Sequence, residues 1–103
     1  MERIKRIGLL VGAFDPVHTA HIDFARRAAE KYDEIWLLPD LDKNRMYYAS
    51  GEDRLEMCRL ACGSEERIRV CKAMIRHRGD AEDAVSRLRK HHPGEMFYIL
   101  DNG

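Results

Sequence analysis

Apolar residues along the chain fall into short continuous blocks, and the segments between the blocks carry apolar residues at helical spacing. Ile4, Ile7, Leu9, Leu10 and Val11 form the first block, closed by Gly12, and read as a buried strand rather than an amphipathic one. From about Thr19 to Lys31, Ile22, Ala25, Ala28 and Ala29 recur on one helical face, with Arg26, Arg27 and Glu30 opposite. Ile35 to Leu38, ended by Pro39, is a second strand, followed by a polar, irregular stretch from Asp40 to Ala49. Ser50, three residues before Asp53, predicts an N-cap for a helix through Leu55, Cys58 and Ala61 that stops at Gly63.

Ile68 to Cys71 is a weaker strand, and Asp80 with Asp83 opens a helix carrying Ala84, Val85 and Leu88 toward Gly94. Met96 to Leu100 is an almost wholly apolar fourth strand, which calls for cover on both faces. The expectation is therefore an α/β chain of four strands and three helices. Strands alternating with helices imply an open parallel sheet with helices on both faces and ligands at the carboxyl ends of the strands.

At 103 residues the chain holds one hydrophobic core, so residues 1–103 are expected to be part of a single domain. Eighteen basic residues balance 18 acidic ones, which argues against a duplex nucleic-acid binder or a polybasic membrane anchor; any anionic ligand must be met by a local feature. The first apolar run spans about eight residues, too few for a membrane span or a signal segment. Three cysteines without a C-x-x-C pair suggest neither a disulfide framework nor a zinc site, and a cytoplasmic setting is expected. Cys58 and Cys62 read as core, and His91 and His92 as solvated groups at a helix end. Arg67, Arg69, Lys72, Arg76 and Arg78 read as the outward face of a strand and its flanks rather than as a nucleic-acid patch.

The chemistry is expected between strand one and the first helix, in Gly12-Ala13-Phe14-Asp15-Pro16-Val17-His18-Thr19-Ala20-His21. A helix start offers unpaired N–H groups and the positive end of the macrodipole to phosphate oxygens. Two imidazoles three residues apart share a helix face and can reach one phosphate.

This segment resembles the G-x-F-D-P-x-H-x-G-H signature of the nicotinate-nucleotide adenylyltransferases and related nucleotidylyltransferases. It differs at Ala20 and carries Val11 and Ala13 where that family has a glycine and a hydroxyl residue. Ser50 to Met57 followed by Ala61 is similar to the family's next helix, and Phe97 to Leu100 to the strand before its adenine-side turn.

The resemblance implies adenylyl transfer from ATP to nicotinate or nicotinamide mononucleotide, giving the dinucleotide and pyrophosphate for NAD biosynthesis. It makes His18 and His21 the catalytic pair on the transferring phosphate. Gly12, Ala13, Phe14, Asp15, Lys43 and Asp101 would contact the nucleotides, and Asp15 and Pro16 would fix the turn. Magnesium would be held mainly by the ATP phosphates and water, with no protein metal site. The family's chains are about twice as long and carry a second phosphate motif, so this chain corresponds to an N-terminal half, in a homo-oligomer or with a completing chain. Two alternatives stand beside this reading: a non-catalytic nucleotide-binding module, and the same chemistry on another acceptor such as pantetheine phosphate.

Overall fold

The computed structural model describes residues 4–77 and 79–100. Its strands are β1 (Lys5–Gly12), β2 (Glu34–Pro39), β3 (Ile68–Val70) and β4 (Glu95–Ile99), and its helices are α1 (Thr19–Ala28), α2 (Gly51–Cys62), α3 (Ala73–Arg76) and α4 (Ala81–His91). All strand pairs are parallel, in the order β3-β2-β1-β4. This is the expected Rossmann-like open sheet. The chain steps outward from β1 through β2 to β3, then returns to the other side of β1. The reversal leaves a crevice at the carboxyl end of β1, where the connection to α1 begins.

The alternation of side chains across each strand divides the core into two layers. Leu10, Ile35, Leu37 and Ile68 meet Ile22 and Ala25 of α1 and Cys58 and Cys62 of α2 on one face. Ile7, Leu9 and Phe97 meet Val85 and Leu88 of α4 on the other, while Leu38 meets Met74 of α3 and Ala84 of α4. Both cysteine thiols of α2 are buried as expected, and burial pushes Cys58 up to about 12, so these thiols behave as small apolar groups.

Two helix starts follow the sequence signals closely. The Ser50 hydroxyl accepts from the Asp53 N–H at 3.1 Å. Asp80 and Asp83 cap each other reciprocally, each carboxylate accepting the other's backbone N–H at 3.0 Å.

Three expectations need correction. The described residues form four helices rather than three, because α3 holds only four residues and is too short to generate a periodic pattern. Helix α1 stops at Ala28; Glu30 and Lys31 instead donate three residues back, to Arg27 and Ala28, in tighter turns that prolong the apolar spacing without prolonging the helix. Strand β4 lies at the sheet edge rather than under cover on both faces: Phe97 is buried, but Met96 and Ile99 are about half exposed, at 46% and 50%.

Candidate active site

Gly12 ends β1, and its carbonyl accepts the Asp40 N–H at 2.9 Å, so the loops after β1 and β2 leave the sheet side by side. Phe14 then adopts φ 49°, a left-handed conformation costly for a side chain that is not glycine, and drives its ring into the core beside Leu10 and Ile22. The Asp15–Pro16 peptide is cis. The chain emerges at His18, the N-cap of α1, with His21 three residues on.

The two imidazoles are brought together, with ring centroids 4.1 Å apart. Phe14 packs edge-on against His21 at 5.0 Å. The His18 backbone N–H donates to Nδ1 of His21 at 3.1 Å. An accepting Nδ1 assigns the proton of the neutral ring to Nε2, leaving His21 a single N–H to offer a ligand. Burial, and then the neighbouring His18, lower the His21 pKa below 6.5, which favours this neutral form. The backbone N–H groups of Thr19 and Ala20, the first two of α1, find no acceptor among the described residues. One helix turn therefore presents two imidazoles and free amide donors, an arrangement suited to phosphate oxygens.

Asp15 serves this loop by bridging it to another. Its carboxylate oxygens accept the backbone N–H groups of Tyr48 and Ala49, the latter at 3.0 Å. That carboxylate ties the β1–α1 connection to the segment entering α2. Lys43 stands exposed between β2 and α2 with no protein partner among the described residues, and no contact links it to the histidines. Asp101, expected at the nucleotide, lies outside the described residues.

Arg54 lies within the Ser50–Met57 segment, and the motif alone does not reveal its place. The side chain is fully buried. It donates to the carbonyls of Ala49 at 3.2 Å, Ala13 at 3.0 Å and Asp40 at 2.8 Å, and stacks 3.8 Å from the Tyr47 ring centroid. Tyr47 in turn donates from its hydroxyl to Asp40 at 2.7 Å. One guanidinium thus ties the β1–α1 loop to both ends of the β2–α2 loop. Spacing could have found it, since Arg54 lies one helical turn before the buried Cys58 and so on the inward face of α2.

Among the described residues, no three His, Cys, Asp or Glu side chains are grouped so as to hold a metal ion. No described helix is long and apolar enough to cross a membrane.

Residues 9–101 match the model of the cytidylyltransferase-like family. A Shouchella clausii (strain KSM-K16) protein named "Probable nicotinate-nucleotide adenylyltransferase" is 38% identical over 107 residues, covering 97% of this chain and 56% of that protein. A Halalkalibacterium halodurans protein of the same name is 36% identical over 108 residues, covering 97% and 52% respectively. The chain thus spans about half the length of these curated relatives. The solved Plasmodium falciparum nicotinic acid mononucleotide adenylyltransferase complexed with NaAD matches at a TM-score of 0.78 and 18% identity, over 92% of this chain and 50% of that one. The same enzyme complexed with APC gives 0.72 at 18% identity, over 92% and 49%. These structures share the fold. A family match over nearly the whole length, with the His18–His21 turn at the expected strand end, means that this chain belongs to the cytidylyltransferase-like family.

Proposed function

We propose that this chain is the nucleotide-binding half of an adenylyltransferase that joins ATP to nicotinate mononucleotide and releases pyrophosphate. The observation that carries the reading is the His18–His21 pair, 4.1 Å apart at the start of a helix whose first N–H groups are free. A phosphate oxygen of the mononucleotide attacks the α-phosphorus of ATP. The bond from that phosphorus to the bridging oxygen breaks, and its electrons leave with pyrophosphate. The attacking oxygen is already anionic, so no strong base is needed. The protein's task is to donate hydrogen bonds to the oxygens on which charge accumulates. Nε2–H of His21, the His18 ring and the N–H groups of Thr19 and Ala20 supply those donors, while Gly12, Ala13 and Phe14 form the backbone beside them.

The relatives' names and the NaAD complex of the Plasmodium enzyme support the pyridine mononucleotide as acceptor. Magnesium fits as an ion carried by the substrate. The Asp15 oxygens already accept backbone N–H groups, and Asp40 is engaged by Tyr47 and Arg45, so phosphates and water would hold it. Bound there, it would neutralise charge on the departing pyrophosphate. We assign Lys43, exposed between β2 and α2, to the ATP side.

The test is pyrophosphate and dinucleotide formation by the purified chain with magnesium, ATP and nicotinate mononucleotide. Turnover that falls about 100-fold or more in His18→Ala and His21→Ala is the expected result. Turnover undiminished from that of the unmodified chain in both variants would refute the assignment of the pair. A second reading is nucleotide binding without turnover, in which calorimetry registers ATP and no pyrophosphate appears. Faster turnover with pantetheine phosphate would move the acceptor.

A further inference from the structure

Helix α4 packs over β4 and β1, and α3 packs over the end of β2. Between them Trp36 and Arg69, register neighbours in β2 and β3, are left without a helix above them. A cavity of about 550 Å³ opens at this gap. Its floor includes Trp36, Cys71 and Leu88. Lys72 and Arg76 stand on the α3 side, and Arg87 and His91 on the α4 side. It lies on the sheet face opposite α1 and α2 and shares no residue with the His18–His21 turn.

Among the described residues, the lining contains no carboxylate. Arg69 is neutralised by Glu34 at 3.0 Å and Arg76 by Glu52 at 3.2 Å, and His92 lies 3.4 Å from Glu95. Lys72, Arg87, His77 and His91 have no acidic partner among the described residues. In a chain whose charges cancel, the unpaired Lys72 and Arg87 facing one apolar floor form a local excess of positive charge, with the His77 and His91 imidazoles beside them. Solvated lysines and arginines scattered over a surface would not require an indole and a leucine beneath them. A bare inorganic anion would make no use of that floor, and an uncharged aromatic would make no use of the rim. The volume falls within the range of small-molecule sites, roughly 300–1,000 Å³.

We propose that this cavity is a second ligand site, for an organic phosphate bearing an aromatic ring: the ring lies over the Trp36 floor, and the phosphate is held between Lys72 and Arg87. The site is separate from the adenylyl-transfer reading and stands or falls without it.

Trp36 is the sole tryptophan of the sequence and lies in the cavity, so its fluorescence reports binding there directly. The experiment titrates the folded chain with AMP and, separately, with inorganic phosphate. The expected result is a saturable change in Trp36 emission with AMP, weakened by about tenfold or more in the Lys72→Gln, Arg87→Gln double variant, a loss of about 1.4 kcal/mol. The same change persists in His18→Ala, His21→Ala protein. Both cations are exposed, and circular dichroism checks that the double variant retains its helices. No saturable change with AMP, or a change lost with the histidines and kept without Lys72 and Arg87, overturns the site. Inorganic phosphate binding as tightly as AMP overturns the aromatic part of the assignment.

Discussion

Arg54 donates to the carbonyl of Ala13 at 3.0 Å across 41 positions of sequence, so a helix on one side of the crevice holds the loop that carries the histidines on the other. The same guanidinium holds the carbonyl that ends β2, at Asp40, and the one that precedes α2, at Ala49. Three carbonyls, the face of Tyr47 and the Asp40 carboxylate at 3.9 Å replace most of the water this charged group gives up, while its Nη2 has no hydrogen-bond partner among the described residues.

Arg54→Met removes those donors while filling much of the volume. Three half-buried carbonyls then lose a charged partner, and unfolding free energy is expected to fall by about 3 kcal/mol or more in urea melts. Arg54→Lys recovers only part of that loss, since an ammonium lacks the planar fork that reaches several carbonyls at once. A loss below about 1 kcal/mol in Arg54→Met would mean that the two loops hold together without it.

Asp15 is expected to act through the chain rather than through the nucleotide alone. In Asp15→Ala, amide hydrogen exchange at Tyr48 and Ala49 should accelerate about tenfold or more, the equivalent of losing a hydrogen bond to a charged acceptor worth about 1.5 kcal/mol. Asp15→Asn keeps one acceptor oxygen and should protect one of the two amides better than the alanine variant does. Unchanged exchange at both amides would show that the α2 approach is held by other contacts.

Phe14 combines a buried ring with a left-handed backbone, and the two can be separated. Phe14→Ala and Phe14→Gly both lose the ring, at a cost of about 3–5 kcal/mol. At φ 49° the alanine also keeps a left-handed penalty of about 1–2 kcal/mol that glycine escapes. That saving outweighs the greater freedom of glycine in the unfolded chain, about 0.4–1 kcal/mol. The glycine variant is therefore expected to be the more stable of the pair in denaturant melts, the reverse of the usual order. An alanine variant of higher stability would place the backbone outside the left-handed region.

The strands and the three longer helices were legible because each carries its own signal. Leu9 and Leu10 point to opposite layers and are both apolar, which marks a strand covered on both sides. Ser50, Asp80 and Asp83 cap their helices where their spacing predicted. The His18–His21 pair was legible as well, since three residues on a helix start determine that the rings meet. What the pattern could not carry is whatever depends on distant parts of the chain. The exposure of Met96 and Ile99 follows from β4 taking the place beside β1, which hydrophobicity does not encode. Arg54 reads as a surface charge until Ala13 and Asp40 are seen to converge on it. The basic cavity joins residues of β2, β3 and α4, each unremarkable alone.

The titration of His21 tests the local geometry most directly. Its pKa is lowered from 6.5, first by burial and then by His18. By NMR, its ring protons should titrate below that value. In His18→Ala the midpoint should rise without reaching 6.5, because the larger cause remains, and the alanine still offers the N–H that Nδ1 accepts. A folded-state pKa below the unfolded one means that the stability His21 contributes is fully present above 6.5 and is lost as pH falls through its own lower midpoint. The physical event is protonation of Nδ1, which turns an acceptor into a donor facing the His18 N–H and opens the first turn of α1. A midpoint at or above 6.5 in the unmodified chain would remove the neutral Nε2 donor from the proposed mechanism, and one below 6.5 that His18→Ala leaves unmoved would separate the rings.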